Sequence, residues 1–304
     1  MEMSPKNQML HVFFQDLEPG PFPLRVSAET TNHCNLRCHY CPREESNRGF
    51  GYMTPELFES LATQCDGKRA AFAPQGFGEP FVDPLFKERL QRTAELDMKH
   101  VDVVTNATLM GEEECRALIE SNVWLVTIDI DGADKSVFEE HRINADYDVV
   151  VENVRRLFAM RKEAGTKLPH IALSAVQLPD VLPSMQAFKD MWEPLLEEQD
   201  EIFWAQPVTW GGDRPMPGKR AATEEELRAR PPCRHLYHTM QIYFDGRTSP
   251  CTYDHACKLH IGDASKQSID EIWNGEQLQR LRDLHEQGRS GEIDMCRNCP
   301  DHLA

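Results

Sequence analysis

The sequence predicts an α/β fold, a partial (β/α)6 TIM-like barrel followed by a small C-terminal module of different character. Three observations lead there. Between Pro23 and Val208, short apolar β-branched runs alternate with amphipathic helical ones, the pattern of βα units around a parallel sheet. Residues 210–232 then break the alternation with glycine, proline and charge. Beyond them five cysteines, Cys233, Cys251, Cys257, Cys296 and Cys299, fall in a stretch without the βα pattern.

Six runs are expected as barrel strands: LRVSAET, AAFAPQ, HVDVVT, WLVTID, HIALSAV and IFWAQPV. Thr54 with Pro55 marks the cap and first residue of a helix. From about Tyr147 a second helix places Val150, Val154, Leu157 and Phe158 on one face and stops at Gly165. In the C-terminal part, MQIYFDGRTSPC reads as a hairpin turning at Asp245-Gly246. Ser268 and Glu271 form a capping box for one helix running through DEIWNGEQLQRLRDLHEQG to Gly288. The expected partition is a barrel over 23–208, a linker or substrate-facing loop over 209–232 and a cluster-bearing module over 233–304.

Composition narrows the function. Fifty Asp and Glu against 33 Lys and Arg, a formal charge of -17, argue against binding a phosphate backbone. The excess suits either a cationic ligand, if focused in a cleft, or a solvated surface. The apolar run MLHVFF is too short for a signal peptide, and no run of about 18 apolar residues exists, so a soluble cytoplasmic protein without membrane partners is expected. Ten cysteines in such a chain point to metal or redox chemistry.

The octapeptide CNLRCHYC sets Cys34, Cys38 and Cys41 directly after the first strand, at the carboxyl edge of the sheet. Three thiolates without a neighbouring fourth leave one iron of a [4Fe-4S] cluster open to a non-protein ligand. A zinc loop completed by His33 or His39 is the other reading of the same spacing.

Cys34-x3-Cys38-x-Tyr40-Cys41, with its aromatic before the last cysteine, resembles the radical S-adenosylmethionine enzymes. GFGEP resembles the family's segment for the methionine amino group, with Gly78 and Glu79 in the matching positions. TNATL, containing Asn106, resembles the third-strand segment. DIDG followed by EEHR resembles the fourth-strand region, whose Arg142 is expected to meet the methionine carboxylate. One position departs: Asp129 stands where related enzymes with an auxiliary-cluster domain often have serine. The resemblance implies S-adenosylmethionine as cofactor, with Tyr40, Gly78, Glu79, Asn106, Asp129 and Arg142 around it. It also implies an external one-electron reductant of the flavodoxin or ferredoxin type and a 5'-deoxyadenosyl radical that abstracts a substrate hydrogen.

The C-terminal pattern resembles a truncated SPASM, or twitch, domain of the same superfamily, as in an aminocyclitol dehydrogenase. That resemblance implies a second [4Fe-4S] cluster on Cys233, Cys251, Cys296 and Cys299, with Cys257 left over; a zinc ribbon is the alternative. A surplus thiol can return a hydrogen atom to a carbon radical, which makes an epimerase. Together these features make the chain similar to the radical epimerases of aminoglycoside biosynthesis, which invert one carbon of a neomycin-type amino sugar. Tyr253, Asp254 and His255 are then candidate substrate contacts or ordinary loop residues, and Asp213 and the acidic run EEQDE at 197–201 attract a cationic amino sugar or face solvent. If Cys257 is instead an inert buried thiol, the enzyme is a radical dehydrogenase of an aminocyclitol or a peptide-modifying oxidase. The non-enzymatic alternative is an iron-sulfur electron carrier.

Overall fold

The computed structural model describes residues 20–216 and 218–300; the MLHVFF run and the last four residues of the expected C-terminal module lie outside them. Six strands, β1 (Arg25–Ala28), β2 (Ala71–Ala73), β3 (His100–Thr105), β4 (Leu125–Asp129), β5 (His170–Val176) and β6 (Glu201–Ala205), lie side by side in chain order, all parallel. Each falls on one of the six expected runs. Between them run α1 (Pro55–Cys65), α2 (Phe86–Ala94), α3 (Glu112–Glu120), α4 (Lys135–His141), α5 (Tyr147–Glu163) and α6 (Met185–Trp192). This is a partial (β/α)6 barrel, whose functional loops follow the carboxyl ends of the strands.

Local chemistry explains the helix ends. The Thr54 hydroxyl accepts the Leu57 amide with Pro55 at the first position, and α5 stops just before Gly165, whose φ of +64° suits a glycine. Packing follows strand alternation: Val26 and Ala28 enter a core with Phe58 and Leu61 of α1, while Ser27 and Glu29 take the other face. A larger core joins Val103, Val126 and Leu173 of the sheet to Leu118 of α3 and Leu157 of α5. Full burial of each such side chain contributes about 1.5–3 kcal/mol, so the barrel wall supports the polar loops at its rim.

The C-terminal segment is less separate than its pattern suggested. Strand β7 (Thr239–Ile242) pairs parallel to β1, with Ser27 opposite Gln241, and β8 (Arg247–Ser249) and β9 (Gly262–Asp263) follow antiparallel. Among the described residues the sheet therefore has nine strands, in the order β9-β8-β7-β1-β2-β3-β4-β5-β6. An open barrel leaves the β1 edge unpaired, and the hairpin covers it. Its turn is at Asp245-Gly246, where Gly246 takes a φ of +90°.

Two expectations are corrected here. The stretch 210–232 is not all loop: it contains α7 (Glu224–Ala229), opened by a Thr223/Glu226 capping box. The single helix expected up to Gly288 divides into α8 (Ile269–Trp273) and α9 (Glu276–Glu286) at Asn274-Gly275. The break lets Trp273 bury fully and donate its indole N-H to the Gly20 carbonyl at 2.9 Å.

Candidate functional site

The loop after β1 carries the first cysteine group. Arg37–Cys38 pairs antiparallel with Arg142–Ile143, so Cys38 lies opposite Arg142, and the Cys41 amide donates to the Cys38 carbonyl at 3.1 Å. The Cys34 sulfur accepts the Leu36 amide at 3.4 Å and lies 3.9 Å from Asn106 Nδ2. Burial pushes the Cys34 thiol up to about 11 and Cys38 up to about 12, and each lies close enough to Cys41 for its charge to add to the rise. Without a metal these thiols are protonated, and loading a metal displaces those protons.

His33 stacks on Tyr52 at 4.7 Å and His39 meets His141 edge-on at 6.0 Å. Among the described residues, no three His, Cys, Asp or Glu side chains converge closely enough to hold a single metal ion.

Segment 76–80 follows β2 and packs on the loop leading to Cys34. A Cβ on Gly78 would stand 2.3 Å from the Thr31 carbonyl and 2.6 Å from that of His33, so only glycine fits. The Glu79 amide donates to the His33 carbonyl at 2.9 Å. The Glu79 side chain turns inward, accepting the Thr105 hydroxyl at 2.7 Å and the amides of Asn106 and Phe81 at 2.8 and 3.3 Å. Burial raises its carboxyl to about 7. Its carboxylate thus ties strand ends together, and what this segment can offer a ligand is its backbone. Asn106 Nδ2 donates to Asn35 Oδ1 at 3.1 Å, and its Oδ1 accepts the Thr108 amide at 2.9 Å.

Arg142 is buried, and its Nε donates to Asp131 at 2.8 Å. The same Asp131 oxygen accepts the Tyr40 hydroxyl at 2.6 Å, and its other oxygen accepts the Val176 amide at 2.9 Å. Asp131 was not singled out from the sequence, although it lies in the quoted DIDG and strand alternation puts it on the face of Asp129. Asp129 is half-buried, and its charge reaches Tyr40, Glu79 and Arg142.

The C-terminal cysteines separate into four and one. Cys233, Cys251, Cys296 and Cys299 line a single cavity with His235 and Tyr253, roofed in part by Arg230. Its sulfur-lined, apolar wall suits a thiolate-bound cluster. Cys257 is not on that cavity. It is buried in one apolar cluster with Phe77 of segment 76–80 and Tyr243, and Trp210 packs against that cluster. Burial raises its thiol to about 12, so it holds its proton at neutral pH. Trp210 donates its indole N-H to the Tyr40 carbonyl at 2.7 Å, and Arg214 donates to the Cys41 carbonyl at 2.6 Å, so the 209–232 stretch lies against the first cysteine loop. Cys65 and Cys115 are buried on α1 and α3.

The three candidate substrate contacts occupy different surroundings. Tyr253 belongs to the cavity wall, edge-on to His235 at 5.0 Å. Asp254 is buried and organises its own loop, accepting the Ser249 hydroxyl at 2.9 Å and the Lys258 and Leu259 amides at 2.8 Å. His255 bonds Asp213 at 2.9 Å and meets Phe77 edge-on at 6.3 Å. Asp213 also pairs with Lys258 at 2.6 Å, so its charge is already matched. The acidic run 197–201 leads into β6 from its amino end, away from the carboxyl-edge loops, and its Asp200 is buried in a pair with Arg161 at 2.6 Å. That run is therefore not part of the site.

Residues 28–171 match the Radical SAM superfamily, and residues 233–300 match SPASM, an iron-sulfur cluster-binding domain. The tungsten-containing aldehyde ferredoxin oxidoreductase cofactor-modifying protein of Pyrococcus furiosus is 29% identical over 154 residues, 49% of this chain and 42% of that one, so the chain spans well under half of that relative. The S-adenosyl-L-methionine-dependent 2-deoxy-scyllo-inosamine dehydrogenase of Niallia circulans is 20% identical over 282 residues, 90% of this chain and 91% of that one. The fold is also that of BtrN, solved in complex with AdoMet and 2-DOIA, with a TM-score of 0.61 at 17% identity over 91% of this chain and 92% of that one. A radical SAM domain binds a [4Fe-4S] cluster and S-adenosylmethionine, and a SPASM domain binds auxiliary iron-sulfur clusters. The chain thus carries a Radical SAM domain over residues 28–171, followed by a SPASM iron-sulfur cluster-binding domain over residues 233–300.

Proposed function

We propose that this protein is a radical S-adenosylmethionine epimerase acting on a cationic amino sugar of the aminoglycoside type. Cys34, Cys38 and Cys41 hold the first cluster and Cys233, Cys251, Cys296 and Cys299 the auxiliary one. A four-iron cluster takes each thiolate on a different iron, which three cysteines in one loop and four around one cavity can supply. Gly78 and Glu79 offer backbone to the methionine amino group, Arg142 receives the carboxylate, and Tyr40, Asn106 and Asp129 complete the surroundings. When bound, the first cluster and S-adenosylmethionine supply the radical that removes one hydrogen atom from the substrate. Cys257 then gives its S-H hydrogen to the substrate carbon from the opposite face, forming a C-H bond and leaving a thiyl radical. One electron from an external reductant of the flavodoxin or ferredoxin type, with one proton, restores the thiol.

The observation that supports this reading is the placement of Cys257. It is outside the four-cysteine cavity, protonated, and in one buried apolar cluster with Phe77 of the cofactor segment. The charge of -17 supports a cationic substrate. All ten cysteines are unpaired, in keeping with a reducing cytoplasm, and among the described residues no helix is long and apolar enough to cross a membrane. The second reading, a radical dehydrogenase of an aminocyclitol, draws support from the full-length match to the Niallia circulans enzyme.

Turnover in deuterium oxide separates the two. Hydrogen return from an exchangeable thiol puts one deuterium on the inverted carbon, and Cys257→Ala keeps both clusters and cofactor cleavage but yields no epimer. A product two electrons more oxidised than the substrate rejects the epimerase in favour of the dehydrogenase, and full epimerisation by Cys257→Ala rejects Cys257 as the hydrogen donor.

A further inference from the structure

We propose that Arg48 is a positioning residue that sets the Cys257 thiol against the cofactor segment; this rests on the hydrogen-donor reading of Cys257. Arg48 and Glu29 form a two-pronged ion pair at 2.6 and 3.0 Å, with both side chains at 0% exposure. A fully buried pair gains little net stability over apolar residues of the same size, so its presence asks for a positional reason. Its partners supply one. Glu29 stands at the end of β1 and accepts the amides of Phe77 and Phe244 at 3.1 and 3.3 Å. Arg48 Nε donates to the His255 carbonyl at 2.7 Å, and the Ser46 hydroxyl donates to the same oxygen at 2.9 Å. The guanidinium lies over the Tyr243 ring at 4.2 Å and near the Phe77 ring at 5.7 Å, the two rings of the buried cluster that includes Cys257. Tyr243 in turn donates its hydroxyl to the Asp254 carbonyl.

One ion pair therefore joins the chain leaving the first cysteine loop, the 76–80 segment and the loop of Cys257. That loop needs holding. Cys257 has a φ of +58°, left-handed for a residue with a side chain, a strained conformation that persists only where the surroundings over-determine it. Arg48, Ser46 and Tyr243 fix residues 254 and 255, two and three positions before the strained one. Lysine cannot replace the arginine, because one ammonium lacks the planar fork that meets Glu29 and His255 together.

The test uses the reconstituted full chain and two variants, Arg48→Lys and Tyr243→Phe, with three readouts. Iron content reports the clusters, the ratio of 5'-deoxyadenosine to epimer reports coupling, and amide hydrogen exchange over residues 251–261 without substrate reports the loop. Arg48→Lys should keep its iron, cleave cofactor within about two-fold of wild type, and raise the ratio by about ten-fold, since a displacement near 1 Å costs up to about 100-fold in a positioned step. Exchange over 251–261 should quicken, and Tyr243→Phe should move both readouts in the same direction by less. Equal loss of cleavage and epimer, or an unchanged ratio and unchanged exchange in iron-replete protein, overturns the proposal. If Arg48→Lys does not fold, Tyr243→Phe decides alone by the same criteria. Should the wild type make no epimer, the exchange arm still reads the loop, so failure of the epimerase reading is told apart from failure of the Arg48 claim.

Discussion

Replacing Asp131 with asparagine removes one charge and almost no volume from the centre of the site. Asp131 is 0% exposed, and its carboxylate satisfies three donors: Arg142 Nε at 2.8 Å, the Tyr40 hydroxyl at 2.6 Å and the Val176 amide at 2.9 Å. The carboxamide of the variant keeps one acceptor and turns an N-H2 group toward groups that themselves donate. Arg142, itself buried, is left as an unpaired cation, and breaking a buried pair from one side costs about 3–5 kcal/mol. At the lower end, about 3 kcal/mol corresponds to roughly a 150-fold fall in the folded-to-unfolded ratio. Removing both charges in Asp131→Asn with Arg142→Met leaves no orphaned ion, so the double variant should be more stable than the single one. Urea unfolding of the metal-free protein at pH 7 under reducing conditions measures all three. An Asp131→Asn protein within about 0.5 kcal/mol of wild type, or a double variant less stable than the single, would refute the argument that this carboxylate braces Arg142. Affinity for S-adenosylmethionine should fall in the single variant and stay low in the double, which lacks the arginine altogether.

Three further outcomes are expected. Burial raises Glu79 from 4.5 to about 7, so the folded state binds the proton more tightly, and stability from this group is full below pH 4.5 and lost as the pH rises to 7, by up to about 3 kcal/mol. The difference in unfolding free energy between wild type and Glu79→Gln should change across that window, and a flat difference would contradict it. Arg230 donates to the carbonyls of Cys296 and Cys299 at 2.5 and 3.1 Å. Losing its positive charge in Arg230→Gln should lower the midpoint potential of the auxiliary cluster more than Arg230→Lys does; a redox titration showing no shift in either removes the electrostatic role. Because Cys257 sits at a φ of +58°, Cys257→Gly should be more stable than Cys257→Ala by about 1 kcal/mol in thermal unfolding, and equal stability would mean that the left-handed conformation is relaxed in solution.

Local pattern carried much of this molecule. The parallel strands could be read because both their faces are covered, which makes a run such as HIALSAV nearly continuous in apolar residues. Thr54, Gly165 and the Ser268/Glu271 box act within one helical turn, and so they too are written in neighbouring residues. CNLRCHYC was legible for the same reason, its thiols being at most seven residues apart. The tertiary structure alone decided where the long-range partners meet. Nothing near Thr239 announces that its strand will pair with β1 more than 200 residues earlier, as the Gln241 to Ser27 separation of 214 shows. Asp254 looked like a ligand contact until three donors from its own loop surrounded it, and the acidic run 197–201 looked poised for a cation until β6 put it at the barrel's other end. Glu29 and Arg48 gave no signal at all, because a charge in sequence is indistinguishable from a surface charge. Only the folded packing of the first cysteine loop, the 76–80 segment and the C-terminal hairpin excludes water from them and turns an ordinary Glu and Arg into a buried joint.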